Sequence, residues 1–208
     1  MNSIEQQIWG FTPEGEAVVR YTMTNAGGAS VVLSNIGAGI IAVNVPDRNG
    51  KLANVALGYD RFESYFGDGP YMGKTPGRFA NRIGEGRFTL DGKEYRLAQN
   101  SGGQHLHGGL KGFANKVWTG RVETDRVVFS LVSPDGDDKY PGEVTVEVCY
   151  DWNDDCELEI TYYAKTDAPT IINLTNHSYF NLKGESVGRA MEQELQLNAS
   201  KFLWYDKN

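Results

Sequence analysis

Short runs of alternating apolar and polar residues dominate the chain, and Gly, Asp and Asn interrupt them. Alternation with a period of two is typical of β-strands that bury one face. We predict strands over residues 17–24, 30–35, 39–45, 54–57, 87–90, 94–97, 117–123, 126–132, 143–151, 156–166 and 192–198. Many short strands without a long amphipathic helix indicate an all-β sandwich or barrel.

The segments between these runs predict turns and one long loop. Asp91-Gly92 between two alternating runs is a strong hairpin signal, and residues 152–155 (WNDD) indicate another tight turn. Residues 60–80 do not alternate and contain several Gly and Pro, so we expect a long functional loop with one helical turn at 61–66. No change of composition marks a boundary, which predicts a single domain over residues 1–208.

The charge of the chain narrows the classes of partner. The 208 residues carry a formal net charge of -7 and a pI of about 5.0, which argues against nucleic acid or an anionic membrane as the main partner. No apolar run approaches the length of a membrane span, and the N-terminus lacks the pattern of a signal peptide. We therefore expect a cytoplasmic protein, either a monomer or a weak dimer, with a small-molecule ligand.

The two cysteines are predicted to remain unpaired. Cys149 lies on the opposite face of its strand from the apolar residues, whereas Cys156 alternates with apolar residues of the next strand. Side chains on opposite faces do not form a disulfide, and free thiols fit a reducing compartment.

The most informative stretch is residues 173–182, NLTNHSYFNL. It places His177 among Asn, Thr, Ser and Tyr side chains, which form hydrogen bonds without carrying charge at neutral pH. Such a set suits a neutral ligand that carries many hydroxyl groups, and an imidazole can transfer a proton near pH 7.

The other two histidines, His105 and His107, allow a metal interpretation. Residues at i and i+2 of an extended segment point to the same side, and an H-x-H pair with a third histidine can bind zinc. The acidic residue expected a few positions later is absent, because Leu110-Lys111-Gly112 stands there. We expect no metal, but a histidine-metal enzyme remains an alternative.

Asn81-Arg82 places a neutral hydrogen-bonding amide beside a planar guanidinium. Arg78, Arg82 and Arg87 cluster in an otherwise acidic chain, which indicates that at least one of them contacts something specific.

Several segments together resemble the aldose 1-epimerase (galactose mutarotase) family. They follow the order of that family from about residue 21 to residue 206, and they are VPDRNG (45–50), NVALGYD (54–60), GRFANRI (77–83), LDGKEYRL (90–97), HLHGGLKGF (105–113), SPDG and YPG (133–142), and TDAPTIINLTNHSYFNL (166–182).

The resemblance implies a large antiparallel β-sandwich that binds a hexopyranose in an open cleft, without metal or cofactor. It implies that His177 is the general acid that protonates the ring oxygen, and that His107 forms a hydrogen bond near that oxygen. The expected sugar-binding residues are Asn81, Arg82, Ser178 and Tyr179, while His105 has a neighbouring or surface role. The implied activity is interconversion of α and β anomers of hexoses such as galactose and glucose, and an unphosphorylated sugar is favoured.

The chain is shorter than members of this family. The resemblance places a sugar-binding aspartate and the glutamate that acts as general base beyond Asn208, so we expect a C-terminally incomplete sandwich whose base lies outside these residues. Missing strands would expose apolar side chains, with Leu203 and Trp204 as candidates. The alternatives are a catalytically incomplete sugar-binding protein of the same fold, or a subunit that another chain completes.

Overall fold

A computed structural model describes residues 3–202. Its first sheet contains five antiparallel strands in sequence order, so each strand pairs with its neighbour in the chain. The strands are β1 (Ser3–Phe11), β2 (Ala17–Thr24), β3 (Ser30–Ser34), β4 (Gly39–Pro46) and β5 (Leu52–Asn54).

Two short ladders follow in the middle of the chain. In the first, β6 (Arg82–Ile83) pairs with β9 (His105–Leu106); in the second, β7 (Arg87–Leu90) pairs with β8 (Lys93–Arg96). The remaining regular elements are short 3₁₀ helices at Phe62–Tyr65, Gly84–Gly86, Phe113–Asn115, Asp137–Lys139 and Ala190–Glu192.

The second large sheet has four antiparallel strands, again in sequence order. These are β10 (Thr119–Glu123), β11 (Arg126–Ser133), β12 (Val144–Trp152) and β13 (Leu158–Thr166).

The main core joins the two large sheets. Val31 and Leu33 of β3 and Val146 and Val148 of β12 are fully buried in one apolar cluster. Across the interface, the indole N–H of Trp152 donates a 3.2 Å hydrogen bond to the carbonyl of Ala29. The architecture is therefore an all-β antiparallel sandwich, and the predicted fold class is confirmed.

Most predicted strands exist within a few residues of their predicted bounds, and the helical turn expected in residues 61–66 is the 3₁₀ helix at Phe62–Tyr65. Strand β1 was not predicted, because its side chains are mostly exposed and do not alternate clearly. Both cysteines are free thiols. Cys149 is buried, which raises its pKa. No helix within residues 3–202 is long and apolar enough to cross a membrane.

Two predicted strands were wrong in whole or in part. Residues 192–198 form no strand, and Leu195 there is 82% exposed, because strand geometry requires a hydrogen-bonded neighbour that the described residues do not supply. The strand predicted over residues 54–57 is only partly present, because β5 ends at Asn54 and a further isolated bridge follows at Ala56. Leu203 and Trp204 lie outside the described residues.

Candidate functional site

Three distant segments form the site, and backbone hydrogen bonds fix each to the next. The segment that carries His177 begins beside residues 78–80. There, the amide of Asn173 donates to the carbonyl of Arg78 at 3.0 Å, and the amide of Ala80 donates to the carbonyl of Asn173 at 2.8 Å. The side-chain amide of Asn173 adds a 3.1 Å bond to the carbonyl of Ala80.

The other end of the same segment is attached to the long loop of residues 60–80. The amide of His177 donates to the carbonyl of Lys74 at 2.8 Å, and the carbonyl of His177 accepts the amide of Gly73 at 3.1 Å. The side chain of Asn176 donates to the carbonyl of Gly73 at 2.9 Å and accepts the amide of Ser178 at 3.0 Å. Asn176 therefore shapes the segment, and its polar atoms are already engaged.

The third segment begins with β9, which pairs with β6. Directly after β9, the amide of His107 donates to the carbonyl of Asn81 at 3.1 Å, while the amide of Asn81 donates to Nδ1 of His107 at 3.0 Å. Both residues have positive φ, 64° for Asn81 and 52° for His107. Left-handed backbone is uncommon for non-glycine residues, although Asn and His adopt it more readily than most, and it clusters at functional sites.

All six predicted site residues line one open cavity of about 640 Å³. Among the described residues that line it, Arg82 is the only one with a fixed charge, and the other polar side chains are amides, hydroxyls and imidazoles. Such a lining suits a neutral ligand with many hydroxyl groups. The lining consists of Ala80, Asn81, Arg82, His107, Asn173, Leu174, Thr175, Asn176, His177, Ser178 and Tyr179.

The two imidazoles of the cavity stand at right angles. The ring centroids of His107 and His177 are 5.1 Å apart with an interplanar angle of 89°. The ring of Tyr179 lies 5.2 Å from that of His177, and the ring of Tyr71 lies 4.6 Å from that of His107. Neither ring nitrogen of His177 forms a hydrogen bond within residues 3–202, so both are available to a ligand.

His107 is held in its neutral form. Burial lowers its pKa to about 4, with smaller contributions from the nearby charges of His177 and Arg82. Since Nδ1 accepts the amide of Asn81, the single ring proton of the neutral form lies on Nε2. His107 can therefore donate a hydrogen bond from Nε2, and it is a poor proton source near neutral pH.

Ser178 and Tyr179 contribute differently. The hydroxyl of Ser178 is buried and has no hydrogen-bond partner among the described residues. An unpaired buried hydroxyl is unfavourable, so a ligand hydroxyl that reached it would gain a bond. The hydroxyl of Tyr179 already donates to the carbonyl of Pro70 at 3.1 Å, which leaves its ring as the part available to a ligand.

His105 is a buried structural residue, and the expectation that it points to the same side as His107 is wrong. Its Nδ1 lies 2.8 Å from the carbonyl of Ala98, and its Nε2 lies 2.6 Å from the hydroxyl of Tyr140. The strand ends at Leu106 and the backbone then turns at His107, so the alternation does not continue. A surface role for His105 is likewise wrong, since it is fully buried. Among the described residues, no group of three or more His, Cys, Asp or Glu side chains is arranged to hold a metal ion.

The three clustered arginines have three different environments. Arg78 is buried, and its guanidinium donates to the carbonyls of Ser133, Pro134, Pro141 and Gly142 at 2.8 to 3.1 Å. Arg87 pairs with Glu85 at the surface. Arg82 alone of the three lines the cavity, where its guanidinium donates to the side-chain oxygen of Asn81 at 3.3 Å.

Tyr71 is a site neighbour that the sequence did not reveal. Next to Tyr71, Lys74 and Asp68 form a buried ion pair, and their side chains are 0% and 3% exposed. These residues lie in the predicted functional loop. Because that loop has no periodic pattern, the sequence does not predict the direction in which its side chains point.

Comparisons with known proteins show which family this chain resembles. The pattern of the family described as Aldose 1-epimerase matches residues 19–208. The chain is 44% identical to a galactose mutarotase from Bos taurus over 207 aligned residues. The aligned region covers all of this chain and 60% of that protein. The chain is 36% identical to an aldose 1-epimerase from Escherichia coli K12 over 196 aligned residues. That alignment covers 94% of this chain and 56% of the bacterial protein.

Solved structures show the same fold. A galactose 1-epimerase from Lactobacillus acidophilus matches with a TM-score of 0.77 at 28% identity, over 88% of this chain and 54% of that one. An aldose epimerase homologue from C. elegans matches with a TM-score of 0.74 at 32% identity, over 88% of this chain and 52% of that one. The chain spans about 60% of the length of the mammalian relatives it matches. It is a member of the aldose 1-epimerase family.

Proposed function

We propose that this chain carries the acid and sugar-binding half of an aldose 1-epimerase site, for aldohexoses such as galactose and glucose. The observation that carries the proposal is the pair of perpendicular imidazoles in a cavity whose polar lining, apart from Arg82, consists of hydrogen-bonding groups without a fixed charge. Interconversion of anomers requires proton transfer on a neutral polyol and no redox chemistry, which suits this lining.

The proposed reaction opens and recloses the sugar ring. A base removes the proton of the anomeric hydroxyl, the bond between C1 and the ring oxygen breaks, and His177 donates a proton to that oxygen. The open-chain aldehyde then rotates about the C1–C2 bond. Reclosure on the other face returns the proton from the ring hydroxyl to His177 and the proton from the base to the anomeric oxygen. A positioned acid or base contributes about 10²- to 10⁴-fold in rate.

The two histidines have distinct proposed roles. The ring of His177 is free of protein hydrogen bonds among the described residues and can exchange a proton with the ligand. His107 stays neutral, with a pKa lowered to about 4, and donates from Nε2 to the ring oxygen or a neighbouring hydroxyl. Asn81, Arg82 and Ser178 hold other hydroxyls, and the ring of Tyr179 packs beside the sugar.

The general base is proposed to lie outside residues 3–202. Among the described residues that line the cavity there is no carboxylate. Family resemblance implies a glutamate in this role, and relatives are longer than this chain. The alternative is sugar binding without catalysis, or completion of the site by another chain.

Nuclear magnetic resonance tests the binding half directly. With three histidines in the chain, each ring Cε1–H signal can be followed as D-galactose is added. We expect the signals of His107 and His177 to shift and that of the buried His105 to stay. A sugar titration that moves none of the three would contradict the proposed site.

Polarimetry with freshly dissolved α-D-galactose tests the catalytic half, with the bovine galactose mutarotase as the positive control. The 208-residue chain is expected to be at least about 10²-fold slower than that relative, because one proton-transfer group is missing. Rates equal to those of the relative would place the base inside the chain and overturn that part of the proposal. Where a residual rate is measurable, His177→Ala should abolish it.

A further inference from the structure

Tyr71 contacts both imidazoles of the candidate site. Its ring centroid lies 4.6 Å from that of His107 with an interplanar angle of 62°, and 6.0 Å from that of His177 with an angle of 39°. The phenol ring therefore packs against both imidazoles.

Short backbone connections tie Tyr71 to the segment that carries His177. The carbonyl of Tyr71 accepts the amide of Lys74 at 3.1 Å, and the carbonyl of Lys74 accepts the amide of His177 at 2.8 Å. The backbone of Tyr71 is left-handed, with φ of 56°. A bulky residue adopts this conformation only where the surrounding structure imposes it.

The buried ion pair supplies that constraint. Asp68 accepts the amide of Met72 on Oδ2 at 2.7 Å, and its carbonyl accepts the amide of Tyr71 at 3.3 Å. Nζ of Lys74 pairs with Asp68, donates to the carbonyl of Tyr65 at 2.5 Å, and lies 5.8 Å from the ring centroid of Tyr71. Buried ion pairs are weak stabilisers overall, because desolvation offsets their attraction. This pair instead fixes the conformation of the loop on both sides of Tyr71.

We infer that Tyr71 is a positioning residue: its ring holds His107 and His177 in their perpendicular arrangement and keeps water from the His107 imidazole, while the Asp68–Lys74 pair sets the place of the ring. The catalytic meaning of this role rests on the proposed function. The packing role itself does not depend on sugar binding or on activity.

Removal of the ring has a consequence that a purely structural residue would not produce. The pKa of His107 is lowered mainly by burial, with the charges of His177 and Arg82 adding to the effect. The ring of Tyr71 lies nearer to that of His107 than the ring of His177 does, at 4.6 Å against 5.1 Å. Without it, water reaches the imidazole, so the pKa of His107 rises toward its ordinary value of 6.5.

The test uses the histidine Cε1–H signals of the 208-residue chain between pH 8 and pH 5.5. Tyr71→Gly removes the ring and suits the positive φ, and Tyr71→Asn serves as a second variant because Asn also tolerates that backbone. In the parent chain and in Tyr71→Phe, His107 should not titrate in this range. In Tyr71→Gly and Tyr71→Asn its midpoint should rise by roughly two pH units, into this range.

Tyr95→Ala is the matched control, because Tyr95 is a half-buried tyrosine of the β7–β8 hairpin that packs on Phe88. It should leave His107 unchanged. An unchanged His107 in both ring-deleted variants, or an equal change in Tyr95→Ala, overturns the inference. If both ring-deleted variants fail to fold while Tyr71→Phe folds, Tyr71 acts in loop stability and the positioning role is likewise overturned. None of these readouts requires sugar, so failure of the proposed function would be seen separately.

Discussion

Asn81 and His107 are joined by a reciprocal pair of hydrogen bonds, in which each residue's backbone amide is a donor: Asn81 to Nδ1 of the His107 ring at 3.0 Å, and His107 to the carbonyl of Asn81 at 3.1 Å. Protonation of Nδ1 would remove its lone pair and break the first of these bonds. The arrangement therefore selects the neutral ring with its proton on Nε2.

We expect the free energy of unfolding to fall as the pH is lowered from 6.5 toward 4. The pKa of His107 is lowered to about 4 and burial also lowers that of His105, whereas both titrate near 6.5 in the unfolded chain. The unfolded state thus binds more protons in this window, and stability is fully present only above pH 6.5. Urea unfolding at pH 7.5, 6.5 and 5.5 measures the slope. His107→Asn should give a shallower slope than the parent, and an equal slope would contradict the assignment.

Substitutions of Asn81 should separate ligand binding from backbone strain. Both Asn81→Gly and Asn81→Ala remove the side-chain amide, so each should weaken galactose binding by roughly tenfold, the value of one hydrogen bond. Ala is disfavoured at the φ of 64° found here, while Gly is not. Asn81→Ala should therefore be about 1 kcal/mol less stable than Asn81→Gly. Sugar titration and urea unfolding measure the two effects, and equal stability of the variants would contradict the strain argument.

Arg78 and Arg87 provide a matched comparison of a buried and an exposed guanidinium. Arg78→Met removes donors from the carbonyls of the Ser133–Gly142 loop and leaves them buried without partners, so we expect a loss of about 3 kcal/mol or more. Arg87→Met breaks only a surface pair with Glu85 and should change stability by less than about 1 kcal/mol. Urea unfolding of both variants is the measurement. Similar losses would mean that the contacts of Arg78 contribute little.

Arg78 and Arg87 already pair with other groups of the protein, and this predicts whether the sugar is phosphorylated. Within the described cavity lining, only Arg82 offers a guanidinium to a ligand. The phosphate of a phosphorylated hexose would gain one exposed contact with the guanidinium of Arg82. That contact adds little affinity, because water already solvates the phosphate dianion. Galactose should therefore bind at least as tightly as galactose 6-phosphate in parallel titrations at physiological salt. Tenfold tighter binding of the phosphate would point to a different substrate.

The Asp68–Lys74 pair should behave as a coupled unit. Lys74→Met leaves the buried carboxylate without its cation, at a cost of about 3–5 kcal/mol. Adding Asp68→Asn should restore part of that loss, since the amide oxygen can still accept the amide of Met72. A double-mutant cycle by urea unfolding measures the coupling. Additive losses would show that the two charges do not interact.

The sequence predicted most strands of the two large sheets because alternation reports burial of one face, as in β2 and β12. It also predicted that His107, His177 and Asn81-Arg82 share a site, but through resemblance to a family. Local pattern misassigned His105, because the i, i+2 rule assumes extended backbone and His107 has a positive φ. It did not reveal β1, whose side chains are mostly exposed and do not alternate clearly. Nor did it reveal the orientation of Tyr71, which is set by an ion pair within an irregular loop.

The assembly of the site from distant segments also has a kinetic consequence. Asn81 and His107 are 26 residues apart, while the bonds from Asn173 to Ala80 and from Asn176 to Gly73 span 93 and 103 residues. Contacts of such sequence separation close large loops and are typical of slow-folding topologies. A nascent or partly folded chain therefore holds none of the proposed sugar-binding geometry until the two ends of these long loops have met. In refolding experiments, the recovery of sugar binding should lag behind the first appearance of strand structure.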